Sequence, residues 1–100
     1  MNTIYKDKAA VLSVIREKRS EIASRFTVQR IGVFGSFARG QAGPQSDIDI
    51  LVEFNKPTFD NYMDSKFYLE EVLNRQVDLV IHDAVKARLK SIIEKEVVYD

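Results

Sequence analysis

The residues best able to do chemistry are two aspartates in the run Ser46-Asp47-Ile48-Asp49-Ile50-Leu51-Val52-Glu53-Phe54. Strand side chains alternate, so Asp47 and Asp49 project from one face and Ile48 and Ile50 from the other. The surrounding isoleucine, leucine and valine describe a buried strand. An acidic pair at the mouth of such a strand is costly unless donors or cations compensate it. A divalent cation is the natural compensation, because Mg²⁺ takes oxygen ligands from one or two carboxylates together with substrate phosphates. Upstream, Ile31-Gly32-Val33-Phe34 reads as an apolar strand that runs into the turn Gly35-Ser36. The backbone N–H groups and hydroxyl of such a turn can seat a polyphosphate. Phosphate, metal and paired carboxylates together point to phosphoryl or nucleotidyl transfer.

The remaining elements must position these groups. Apolar periodicity predicts a first helix over residues 4–26, with Val11, Leu12, Ile15, Ile22 and Phe26 near one stripe and Thr3 as a candidate N-cap. A first strand is predicted over Gln29 to Phe34. A short helix over Phe37 to Gly40 opens on Ser36, its N-terminus facing phosphate and Arg39 one turn in. Arg39 reads either as an exposed ion-pair residue or as a contact to phosphate or the acidic cluster. Residues 41–45 form a loop by composition. The second strand is predicted over Asp47 to Phe54, with Glu53 on the aspartate face but at the far end, in a structural or peripheral role.

Asn55 to Thr58 break the chain, and a helix over Phe59 to Leu73 turns Tyr62, Met63, Phe67, Leu69, Val72 and Leu73 mainly inward. Asn74 suits a left-handed C-cap. In a third strand over Gln76 to Ile81, Asp78 lies on the face opposite Val77, Leu79 and Ile81. Alone, Asp78 would read as a structural hydrogen-bond acceptor; pairing of this strand beside the second would gather all three carboxylates. His82 reads as a surface or loop residue outside the site. Asp83 suits the N-cap of a last helix with the stripe Val85, Leu89, Ile92, Ile93 and Val97, and Arg88, Lys90 and Lys95 as its solvated face. Tyr99 reads either as a packing residue or as a modification or partner site.

With 100 residues, no repeat and no linker, the expectation is one domain over residues 1–100. Fifteen basic residues balance fifteen acidic ones, which argues against a general nucleic-acid-binding surface. Cysteine is absent, so thiolate metal sites and disulfides are excluded. No apolar run is long enough for a membrane span and no signal-peptide core is present, so a cytoplasmic protein is expected.

Gly35-Ser36, Arg39-Gly40, Ser46-Asp47-Ile48-Asp49 and then Val77-Asp78-Leu79-Val80 resemble the signature of the DNA polymerase beta-type nucleotidyltransferase superfamily, most closely its minimal nucleotidyltransferase (MNT) branch. The resemblance spans roughly residues 28–99. It implies an α+β nucleotidyltransferase fold, a small mixed β-sheet of three to four strands flanked by helices that lie mainly on one face. It also implies that Asp47, Asp49 and Asp78 are catalytic and hold two Mg²⁺ ions, while Gly35, Ser36 and Arg39 bind the nucleotide, with pyrophosphate as the leaving group. Some members of the branch are antitoxins of HEPN-domain toxins. The implied function is therefore transfer of AMP from ATP to a hydroxyl, expected to be a tyrosine, of a HEPN-type toxin. Two alternatives stay open: an antitoxin that only masks its toxin, and a small-molecule nucleotidyltransferase, which would need homo-oligomerisation to build an acceptor pocket.

Overall fold

The computed structural model describes residues 7–43 and 45–100. Among them, helices α1 (Lys8–Phe26), α2 (Gly35–Arg39), α3 (Phe59–Leu73) and α4 (Ala87–Glu96) alternate with strands β1 (Val28–Phe34), β2 (Ile48–Phe54), β3 (Val77–Ile81) and β4 (Val98–Tyr99). The strands form one mixed sheet in the order β3-β2-β1-β4. β1 runs antiparallel to both β2 and β4, whereas β2 and β3 are parallel and α3 makes the crossover that parallel strands require. No described helix is long and apolar enough to cross a membrane.

Alternation divides the sheet. Ile31 and Val33 of β1, Ile48, Ile50, Val52 and Phe54 of β2, and Val77 and Leu79 of β3 join one buried cluster with Val11, Ile15, Ile22 and Phe26 of α1 and Leu69 and Leu73 of α3. A bulge between Val28 and Arg30 shifts the β1 register by one residue, which returns Val28 to the core. The other face carries Gly32, Phe34, Asp49, Leu51, Glu53 and Asp78. Here α4 and β4 close over β1: a Cβ at Gly32 would lie 2.8 Å from the Val97 side chain and 2.9 Å from the Tyr99 ring. Glycine is what permits that approach.

α1 starts later than periodicity suggests. Asp7, extended at φ −143°, accepts a hydrogen bond from the Ala10 N–H at 2.9 Å and caps the helix. Thr3, the expected cap, lies outside the described residues, as do residues 4–6 of the expected helix. At its other end Thr27 adopts φ 59°, unusual for a β-branched residue. Its hydroxyl accepts from the Lys56 N–H at 3.0 Å and its carbonyl accepts from the Asn55 N–H at 2.7 Å, so the β2–α3 loop braces the strained residue.

α3 has the expected bounds, with Thr58 as N-cap and Asn74 as a left-handed C-cap at φ 51°. Phe67, expected inward, is 56 % exposed, because the core-facing stripe runs through Ser65, Leu69 and Leu73 instead. The last helix also differs. His82–Ala84 form a 3₁₀ turn, Val85 is extended, and α4 begins after Lys86, so Asp83 is not its N-cap. Val85 and Val97 therefore flank the helix. No residue of α4 is buried, and Leu89 and Ile92 of the expected stripe are 49 % and 56 % exposed.

Candidate active site

The end of β1 and the starts of β2 and β3 meet at one end of the sheet. The register places Phe34 opposite Asp49, and Asp49 beside Asp78. Gly35 follows Phe34 at φ 70°, and a Cβ there would collide with the Asp49 carboxylate. A glycine is thus required twice, by backbone conformation and by the carboxylate lying over it. Asp49 is half-buried, and Asp47 and Asp78 are exposed beside it. Burial, then the charges of Asp78 and Asp47, push the Asp49 carboxyl up to about 6.

Such a set of hard oxygen donors, costly when ionised alone, fits a divalent cation. The three aspartates nevertheless do not converge as tightly as ligands around one ion. Among the described residues, the one trio of histidine or carboxylate side chains with ligand atoms within 4.8 Å of one another is Glu53, His82 and Asp83. That trio is at the opposite end of the sheet. Both ring nitrogens of His82 face carboxylates, Nε2 towards Glu94 at 2.9 Å and Nδ1 towards Asp83 at 3.1 Å, and these contacts raise its pKa. In this structure the cluster is a polar network in which the His82 ring bridges the Asp83 and Glu94 carboxylates. Glu53, also paired with Arg30 at 2.9 Å, has the structural role expected of it.

The other expected residues cluster around Gly35. Ser36 opens the first turn of α2, its carbonyl accepting from the Gln41 N–H at 2.8 Å. Arg39, half-exposed, donates from Nε to Gln41 at 3.1 Å and from Nη1 to Glu96 Oε2 at 2.9 Å. Its guanidinium lies near enough to Asp49 to stabilise the ionised carboxylate. The opposite oxygen of Glu96 accepts from the Gly35 N–H at 2.9 Å.

Glu96 escapes sequence reasoning because it sits 57 residues from Arg39 on a helix whose charged residues read as a solvated face. Arg75 escapes it too. From the turn before β3, its Nη1 donates to the carbonyls of Gly43 and Ser46 at 3.0 Å each, and its guanidinium stacks on the buried Phe37 ring. This fastens the loop that delivers Asp47. A cleft of about 240 Å³ opens there, lined by Gln45, Ser46, Asp47, Arg75 and Gln76. For Arg75, the signal in the sequence is a cation immediately after the Asn74 cap, which by itself is uninformative.

Comparison with known proteins agrees with this fold. The nucleotidyltransferase domain family matches residues 15–100. Protein adenylyltransferase MntA of Thermococcus cleftensis is 40 % identical over 88 residues, covering 87 % of this chain and 89 % of that protein. A solved structure of a presumed minimal nucleotidyltransferase superposes with a TM-score of 0.72 at 33 % identity, over 87 % of this chain and 93 % of the other. The complex of a tri-AMPylated Shewanella oneidensis HEPN toxin with an MNT antitoxin contains the same fold, with a TM-score of 0.62 at 20 % identity over 87 % of this chain and 69 % of the matched one. These relatives share the fold, and the chain belongs to the nucleotidyltransferase domain family.

Proposed function

We propose that this nucleotidyltransferase is a protein adenylyltransferase that transfers AMP from ATP to a hydroxyl of a HEPN-type toxin, expected to be a tyrosine, and so acts as its antitoxin. The observation that carries the reading is the register of Asp49 beside Asp78, with Asp49 packed on the Gly35 turn. Similarity to MntA of Thermococcus cleftensis, a protein adenylyltransferase, supports it.

In the reaction, an oxygen of the acceptor hydroxyl forms a bond to the α-phosphorus, the bond from that phosphorus to the β-phosphate bridging oxygen breaks, and pyrophosphate leaves. The hydroxyl proton passes to a carboxylate oxygen of Asp78, which is exposed and open to an incoming acceptor. Gly35, Ser36 and Arg39 hold the outgoing phosphates. Asp47 and Asp49, with Asp78, would hold two Mg²⁺ ions, which when bound neutralise the carboxylates and the phosphates.

The test is the intact mass of the neighbouring gene's product after incubation with the protein, ATP and Mg²⁺. One or more added AMP units are expected, with a loss of roughly a thousandfold in rate for Asp47→Asn/Asp49→Asn, as for removal of several kcal/mol of charge stabilisation. A stable complex with no mass gain, formed equally by wild type and variant, would overturn catalysis and leave a masking antitoxin.

A further inference from the structure

The Glu96 carboxylate takes up two of the donors that the proposed reaction assigns to phosphate. Its Oε1 accepts from the Gly35 N–H and its Oε2 from Arg39 Nη1, both at 2.9 Å. One planar anion bridging a turn N–H and a guanidinium is the arrangement a phosphoryl group would adopt there. Resting on the nucleotidyl-transfer reading, we propose that Glu96 is an internal phosphate mimic, a residue that sets the affinity for nucleoside triphosphate by occupying the Gly35–Arg39 cradle until the nucleotide displaces it.

Three features argue for displacement rather than a fixed tether. Glu96 adds a carboxylate to a turn already packed against the Asp49 carboxylate. α4, which carries Glu96, has no buried residue and no side-chain N-cap, so little apolar burial holds it down. β4, which follows it, pairs with β1 through two residues, Val98 and Tyr99. These side-chain contacts hold the helix at its C-terminal end, by Glu94 on His82 and by Glu96 on the cradle.

Calorimetric titration with Mg²⁺-ATP separates the possibilities. Glu96→Gln keeps the side chain's size but puts an amide N–H₂ where Arg39 needs an acceptor, and it should bind roughly fivefold tighter, the worth of a half-exposed ion pair. Arg39→Ala should bind more weakly. If Glu96→Gln binds no tighter while Arg39→Ala loses affinity, the gate is wrong and the nucleotide reading stands; if none of the three proteins binds, both fall. On the wild-type chain, Mg²⁺-ATP should speed amide hydrogen exchange in residues 87–96. Unchanged or slower exchange there would show that Glu96 stays in place and would overturn the mimicry.

Discussion

At the scale of single residues, the clearest consequence concerns Asp49. Its folded-state pKa is raised from 3.8 to about 6, so the folded chain holds this proton more tightly than the unfolded chain. The stability this confers is fully present below pH 3.8 and is lost as the pH rises through about 6. The loss by pH 7 should be about 1 kcal/mol, discounted because the carboxyl remains partly solvated. Urea unfolding between pH 4 and 7.5 without divalent metal should show that decline. Asp49→Asn should flatten it and make the chain more stable at pH 7, and Mg²⁺ should restore wild-type stability at the same pH. Asp49 was legible in the sequence because two carboxylates on one face of an apolar strand have few structural explanations. Asp78 needed the strand pairing, since a lone aspartate in an apolar strand is equally an ordinary acceptor.

At the scale of elements, the loop between α2 and β2 brings Asp47 to the site, and Arg75 fixes that loop through Gly43 and Ser46. Arg75→Ala removes both hydrogen bonds and the stack on Phe37. It should lower stability by about 1–2 kcal/mol and speed amide exchange in residues 43 and 45–47, leaving β1 unchanged. The strands and α3 were readable because alternation and period are local properties of long segments. The beginning of the last helix was not, since Asp83 has the chemistry of an N-cap but the chain spends it on His82 in a 3₁₀ turn. β4 offered no signal either: two residues are too few to show alternation, and they pair with β1 only because Gly32 leaves room. Phe67 was misread for a related reason, as helical periodicity locates a stripe without fixing its edges.

For the whole molecule, burial is uneven in a way that can be measured. Leu73 is 1 % exposed at the centre of the sheet–helix core, whereas Leu89 and Ile92 of α4 lie about half in solvent. Leu73→Ala should cost about 2–5 kcal/mol, while Leu89→Ser and Ile92→Ser should each change stability by no more than about 0.5 kcal/mol. Chemical denaturation of the three variants tests this contrast directly. If Leu89→Ser or Ile92→Ser proved as costly as Leu73→Ala, α4 would belong to the core and its displacement by a ligand would be too expensive.

The position of β1 has a consequence for solubility. It is an inner strand only because the two residues of β4 and the bond from the Asp100 N–H to the Ile31 carbonyl cover its outer side. If α4 and β4 lift away, the backbone of Ile31, Gly32, Val33 and Phe34 becomes an unpaired edge with apolar side chains on both faces, a template for a strand from another chain. The bulge near Val28 and the charge of Arg30 blunt only its first half. Opening the cradle therefore carries a hazard of self-association, and the chain is safest where whatever displaces α4 also covers the edge it leaves behind.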